Sequence, residues 1–332
     1  MESTQTKLEE PYELVGRRIW VAGHRGMVGS AMVRRLESED CEILTACHSE
    51  LELRDQATVG KWVAEAKPDT VVIAAAKVGG ILANSTHPAE FLYDNLAIET
   101  NIIHAAHRCG VEKLLFLGSA CIYPREANQP MVEEALLSGP LEPTNQWYAV
   151  AKIAGIKLCQ AYRQQYGRDF ISAQPNNLYG PFDNFDPETS HVIPALIRRT
   201  HEAKVSGDSE VVIWGTGKPL REFLHVDDLG DALVHLLKFF SSDIPINIGT
   251  GEEVSIAELA ETIARVVGYQ GDLIFDTSKP DGAPRKLLDA RRIKALDWCS
   301  SITLEEGLAK TYTWFLDNGE GNTPSPKVFD NS

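Results

Sequence analysis

The chain has 332 residues, 43% of them hydrophobic and 24% charged, which is the composition of a globular protein with one large domain or two modest ones. Its formal net charge of −15, with no long basic run, argues against a nucleic-acid partner. An anionic small substrate stays open, because a few local arginines set the potential of a cleft.

Residues 1–16 are polar and acidic, with neither the cationic start and apolar core of a secretory signal nor the arginine bias of a transit peptide. They are expected to form a disordered N-terminal extension. No apolar run approaches the roughly 20 residues that span a bilayer, so no membrane partner is expected. Cys41, Cys47, Cys109, Cys121, Cys159 and Cys299 are scattered, with no C-x-x-C pair. Neither a metal site nor a disulfide framework is suggested, and reduced thiols in a cytoplasmic protein are expected.

Arg17–Gly23 reads as a short apolar strand. It runs into Gly23-His24-Arg25-Gly26-Met27-Val28-Gly29 and then a helical stretch, Ser30–Ser38. Strand, glycine turn and helix together make a dinucleotide site. The first glycine permits the turn, the second lets a pyrophosphate approach the backbone, and the third lets helix and strand pack closely. Glu42–Ala46 and Thr70–Ala76 read as the second and third strands, Ala97–Cys109 as a helix and Lys113–Gly118 as the fourth strand. Alternation of this kind predicts an α/β fold, a Rossmann-like doubly wound parallel sheet.

An acid at the end of the second strand would bind the cofactor's ribose 2′-hydroxyl and repel a 2′-phosphate. Here Thr45-Ala-Cys-His48-Ser49 has no acid before Glu50, and Arg25 is available for a phosphate, so the chain leans toward NADP(H). Asp55 reads either as an adenine contact or as a surface-turn aspartate.

Leu117-Gly118 leads into Ser119-Ala-Cys121 at the carboxyl edge of the sheet, where ligands of open parallel sheets sit. In an extended strand positions 119 and 121 share a side. Tyr148 and Lys152 are one helical turn apart, so an ammonium lies near a phenol. Such a cation is expected to lower the phenol's pKa and let it exchange a proton with a substrate oxygen. Phe170–Pro175 is the fifth strand, ending in Pro175-Asn176-Asn177-Leu178.

Beyond it the α/β rhythm loosens. His191–Arg199 begins a helix, Val211–Gly217 is a strand and turn, Arg221–Asp228 is expected to return to the sheet, and Ile246–Gly251 is a further strand. Lys279–Lys286 is a charged loop. The expected organisation is a dinucleotide-binding domain at 17–178 with later returns near 221–250. A mainly substrate-binding lobe at 179–317 and a disordered tail at 318–332 complete it.

With these residues collected, the chain resembles the extended short-chain dehydrogenases/reductases that act on nucleotide sugars. More narrowly, it resembles the GDP-L-fucose synthase family of 3,5-epimerase/4-reductases. The likeness runs from about Arg17 to Leu316. Its narrowest pieces are Ala76-Lys-Val-Gly-Gly-Ile81, Ser119-Ala-Cys121-Ile-Tyr-Pro124 and Lys279-Pro-Asp-Gly-Ala-Pro-Arg-Lys286. The resemblance implies that Tyr148 is the reduction acid, that Lys152 is its helper and holds the nicotinamide ribose, and that Ser119 binds the 4-keto oxygen. It implies that Cys121 and His191 are the acid/base pair of the epimerisations, a nearby imidazolium favouring the thiolate. Pro175, Asn176, Asn177 and Leu178 would form a cofactor loop. Arg199, Trp214, Arg221 and Asp281 would contact the substrate, and the enzyme would be a homodimer. Arg199 stands where a lysine is common. His48 stands where some members have an arginine for the 2′-phosphate, which gives Arg25 more of that task.

Three rival readings stand beside this one. A 4,6-dehydratase needs an acid and a carboxylate just after Ser119, where this chain has Ala120-Cys121. A nucleotide-sugar 4-epimerase with tightly bound NAD needs only Tyr, Lys and Ser. A non-catalytic dinucleotide sensor can dispense with the Tyr/Lys pair. Residue by residue, Cys121 also reads as a buried structural thiol and Trp214 as core packing.

Overall fold

The computed structural model describes residues 8, 10–279 and 281–318. In chain order the first half comprises β1 (Arg18–Ala22), α1 (Met27–Leu36), β2 (Glu42–Leu44), α2 (Gln56–Ala66), β3 (Thr70–Ile73), α3 (Ile81–Thr86), α4 (Pro88–Arg108) and β4 (Lys113–Leu117). Then come α5 (Gln146–Tyr166), β5 (Asp169–Pro175), β6 (Asn177–Tyr179), α6 (Val192–Ser206), β7 (Glu210–Trp214), β8 (Leu220–Arg221) and β9 (Phe223–His225). The remainder is α7 (Val226–Phe239), β10 (Ile246–Ile248), β11 (Val254–Ser255), α8 (Ile256–Val267), β12 (Asp272–Asp276), β13 (Arg285–Lys286), α9 (Arg291–Lys294) and α10 (Leu304–Asn318).

Six strands form one all-parallel sheet in the order β10-β5-β4-β3-β1-β2. This is the doubly wound, Rossmann-like sheet read from the sequence. The chain reverses its direction of travel across the sheet between β1 and β3, which opens a ligand crevice at their carboxyl ends.

The central strands are apolar throughout because both faces are covered. Alternate residues serve opposite layers. Ile19, Val21, Val72, Leu115, Leu117 and Ile171 pack with residues of α1 and α7. Trp20, Val71, Ile73, Leu114, Phe116 and Phe170 pack with residues of α2, α4 and α5. Each such side chain contributes about 1.5–3 kcal/mol on burial. The one charged residue in β4, Lys113, is buried because its ammonium donates to Asp169 Oδ2 at 2.6 Å and to the Phe240 carbonyl at 2.8 Å.

A separate core unites Tyr179, Ile193, Ile197, Val211, Ile213, Leu259, Ile263, Leu308 and Phe315, drawn mainly from α6, β7, α8 and α10. It forms the smaller lobe. Ser255 and Glu258 form a reciprocal capping box that starts α8, satisfying two of its otherwise unpaired amides.

The structure corrects several expectations. Residues 221–228 do not rejoin the main sheet: β9 pairs with β6, β8 pairs with β11 and β13, and β10 is the sixth strand. The helix expected at Ala97–Cys109 starts at Pro88, whose missing N–H costs nothing in a first turn. Within the extension expected to be disordered, Leu14 is 1% exposed in the main core, and the Tyr12 amide donates to the Lys238 carbonyl at 2.8 Å. The rest of that extension, residues 1–7 and 9, lies outside the described residues. So does the expected tail beyond Asn318, itself the last residue of α10.

Candidate active site

The glycine turn closes on itself at the carboxyl end of β1. Gly23 has φ +89°, and a Cβ there would stand 2.6 Å from the Ala75 amide nitrogen after β3. A Cβ on Gly29 would stand 2.0 Å from the Gly23 carbonyl oxygen. Only glycine lets α1 and the two strands meet this closely. Among the described residues no side chain caps α1 at Gly26. The first-turn amides of Met27, Val28 and Gly29 therefore face a prospective phosphate. These features fit a dinucleotide. Arg25 is exposed beside them. His24 lies below its ordinary pKa through burial, with the Arg25 cation adding to the effect.

His48 is on the surface, its Nε2 3.0 Å from Glu52 Oε2. Asp55 is exposed and caps α2, accepting from the Thr58 amide at 2.7 Å. Of its two readings the helix-terminus one is the contact seen. Leu117 and Gly118 are buried at the end of β4, and the Gln174 amide group on β5 occupies the space a Gly118 side chain would need. In the expected cofactor loop, Pro175 ends β5. The Asn176 side chain is turned inward and donates to Glu222, while Asn177 Nδ2 donates to the Glu222 carbonyl at 2.8 Å. Glu222, fully buried, also accepts from the amides of Gly251 at 2.7 Å and Leu288 at 3.1 Å. It is thus a hub beneath the loop that sequence reasoning missed.

Ser119 and Cys121 are not in an extended strand. Residues Ala120–Ile122 form a turn of 3-10 helix, and Ser119 Oγ caps it by accepting from the Cys121 amide at 3.3 Å. The half-buried Cys121 sulfur faces α5. Asn145 Nδ2 donates to it at 3.2 Å, and Lys286 Nζ lies 3.7 Å away. Two donors, one of them charged, thus converge on the sulfur. The cation expected at this sulfur was His191. Instead it is Lys286, and the Lys286 charge together with burial lowers the His191 pKa. His191 is the N-cap residue of α6, makes no side-chain cap bond, and with its pKa lowered is a neutral imidazole near physiological pH.

Tyr148 and Lys152 are both buried on α5. The Lys152 Nζ lies 5.8 Å from the Tyr148 ring centroid and 4.7 Å from that of Phe116. The expected lowering of the phenol's pKa is not found. Burial pushes Tyr148 upward, with Cys121 and Glu99 adding to it. With all three influences acting upward, the phenol stays protonated and is equipped to donate.

Four residues of the smaller lobe complete the expected set. Trp214 ends β7 and is 64% exposed, with Lys279 Nζ 5.4 Å from its ring centroid, so it is not core packing. Asp281 accepts from the Thr216 amide at 2.8 Å and its hydroxyl at 2.7 Å. Arg221, on β8, has its pKa lowered by burial against the opposing pull of Asp281. Arg199, on α6, donates to the Val212 carbonyl at 3.2 Å and is likewise lowered by burial. Asn145 and Lys286 were missing from the expected site. Asn145 had a signal, one turn before Tyr148 on the same helix face. Lys286 lay within a narrow motif but had no assigned role.

Residues 19–249 match the family model described as NAD dependent epimerase/dehydratase family. A protein of Sinorhizobium fredii named GDP-L-fucose synthase is 60% identical over 311 residues, spanning 94% of this chain and 99% of that relative. An Escherichia coli protein of the same name is 56% identical over 312 residues, spanning 91% and 97%. The crystal structure of a GDP-L-fucose synthetase from Naegleria fowleri bound to NADP superposes with a TM-score of 0.87 at 29% identity, covering 96% of this chain and 99% of that one. The glycine cradle, the Tyr148/Lys152 pair and these matches agree: the chain belongs to the NAD dependent epimerase/dehydratase family.

Proposed function

We propose that this chain converts GDP-4-keto-6-deoxy-D-mannose into GDP-L-fucose by 3,5-epimerisation followed by NADPH-dependent 4-reduction. The observation that carries the reading is the thiol of Cys121, held by Asn145 and Lys286 beside Ser119 at the sheet's carboxyl edge. A plain 4-epimerase or 4-reductase has no use for a sulfur so equipped. Named relatives at 56–60% identity support the same activity.

The Gly23–Gly29 turn, Leu117, Gly118 and the Pro175–Leu178 loop hold NADP(H), Arg25 meets the 2′-phosphate, and Lys152 holds the ribose. NADPH, when bound, supplies hydride to C4. Trp214, Arg221, Arg199 and Asp281 hold the nucleotide sugar, whose two phosphates suit the local cations of an otherwise acidic chain.

The 4-ketone makes the protons at C3 and C5 acidic, since their loss gives an enolate. Cys121 and neutral His191 divide removal and return of these protons on opposite faces of the ring. Ser119 and Tyr148 donate to the oxygen on which charge develops, a contribution worth about 10²–10³ in rate per donor. In the reduction, Tyr148 gives its proton to that same oxygen. One site serves both steps because both build charge on one atom. The enzyme works as a homodimer in the cytoplasm.

NADPH oxidation with GDP-4-keto-6-deoxy-D-mannose in D2O, followed by NMR of the product, tests this. GDP-L-fucose carrying deuterium at C3 and C5 is expected. A reduced product with both carbons unexchanged and uninverted would leave a plain 4-reductase.

A further inference from the structure

Beneath the Tyr148/Lys152 pair lies a carboxyl that the mechanism above does not use. Glu99 sits midway along α4, 1% exposed, and among the described residues neither of its oxygens has a hydrogen-bond partner. An unpaired buried carboxyl costs several kcal/mol unless something offsets it. The layer around it explains what does. Helix α4 packs against α5, and the Glu99 carboxyl faces the Gly155 backbone, one turn beyond Lys152. A Cβ on Gly155 would stand 2.4 Å from the Phe116 ring, so this glycine lets the ring slide beneath α5. That ring lies 4.7 Å from Lys152 Nζ. Lys152 itself is 3% exposed. An ammonium and a carboxyl are thus sealed into one apolar layer, walled by Phe116.

We propose that Glu99 is the counter-ion of Lys152, a positioning residue that keeps the ammonium charged inside this layer and so effective beside Tyr148. This rests on the role assigned to the Tyr148/Lys152 pair above. Burial alone drives a lysine toward its neutral form, and a neutral amine neither holds a cofactor hydroxyl firmly nor supports a phenolate. Burial does lower Lys152, and Glu99 acts in the opposite sense. The relation is mutual: burial raises Glu99, and Lys152 opposes that rise. The other titratable groups facing the pair are Tyr148 and Cys159 on α5, with Cys121 acting on Tyr148 from the turn after β4. Strand β4 presents Phe116, and β5 presents Ser172, which bonds Cys159; neither titrates. Lys152 is the one cation in this set, and the Gly155 backbone is the other group that favours the Glu99 carboxylate.

The test compares the pH dependence of kcat for NADPH oxidation in the full-length enzyme, Glu99→Gln and Glu99→Asp. In Glu99→Gln the alkaline limb, where Lys152 loses its proton, is expected to move to lower pH by about one unit or more, with Glu99→Asp restoring most of it. A limb that superimposes on wild type overturns the proposal, whatever happens to the melting temperature. Should Glu99→Gln fail to fold, Glu99→Leu, matched in size and free of buried polar atoms, takes its place with the same expectation.

A second arm needs no turnover and no change at position 99. In protein carrying side-chain 13C-labelled glutamate, the Glu99 midpoint is expected to rise in Lys152→Met; an unmoved midpoint also overturns the proposal. Because it reads the pair without a substrate, this arm separates failure of the pairing from failure of the proposed activity.

Discussion

Lys286 Nζ stands 3.7 Å from the sulfur of Cys121, a residue 165 positions earlier in the chain. The ammonium arrives on β13, which is held against β8 in the smaller lobe, while the thiol rides on the turn after β4 of the main sheet. The contact puts a charged donor on the sulfur proposed to exchange the C3 and C5 protons. Replacing Lys286 with Met is expected to slow solvent-deuterium uptake at C3 and C5 by about tenfold or more, the worth of one charged hydrogen bond. Cys121→Ser should abolish the uptake while NADPH still binds. Uptake at the wild-type rate in either variant would remove the sulfur from the mechanism.

His191 offers a pH test. Burial and the Lys286 charge hold its pKa below the ordinary value of about 6.5. The native state therefore takes up this proton less readily than the unfolded chain. His191 makes no demand on stability above roughly 6.5. As the pH falls below that value the unfolded state gains the proton first, and stability declines until the folded value is passed. For catalysis the same shift extends the neutral imidazole to lower pH. Lys286→Met removes one of the two causes, so the acid limb of the exchange rate should move upward in pH. NMR titration of His191 in both proteins checks the direction.

Removing the Glu222 carboxylate should loosen the floor of the proposed cofactor loop. Glu222→Ala strands the buried amides of Gly251 and Leu288 and the inward side chain of Asn176. Each unsatisfied donor costs about 1–3 kcal/mol. A loss of about 3 kcal/mol or more is expected in urea unfolding, with weaker NADPH binding by fluorescence titration. A stability change under about 1 kcal/mol would mean that water satisfies these groups instead.

Gly29→Ala tests the glycine cradle. The added methyl would meet the Gly23 carbonyl oxygen at 2.0 Å, and backbone cannot swing aside as a side chain can. Overpacking of this kind costs about 1–3 kcal/mol and displaces the start of α1. Both a lower melting temperature and a loss of NADPH affinity are expected, because one displacement disturbs both. Unchanged cofactor affinity would place the pyrophosphate elsewhere.

Arg25→Ala addresses cofactor choice. His48 is engaged with Glu52, and Arg25 stands exposed at the glycine turn. The variant is expected to weaken NADPH about tenfold or more while leaving NADH little changed, with the difference shrinking at high salt. Equal losses for both cofactors would assign Arg25 to the shared pyrophosphate.

The Rossmann-like architecture was legible in the chain because it is written in local signals. An apolar strand, a Gly23-x-x-Gly26-x-x-Gly29 turn and a following helix are adjacent in sequence, and so are Tyr148 and Lys152. Such patterns carry their geometry with them, since pleat and helix periods are set within a few residues. What the tertiary structure decided were relations between distant segments and the balance of burial against charge. Lys286 lies at Cys121, Glu222 lies under Asn176, and β9 pairs with β6 outside the main sheet, all contacts between residues far apart in the chain. The Tyr148 phenol ran opposite to the simple reading, because desolvation depends on every atom packed around it and an i, i+4 spacing specifies only one of its neighbours.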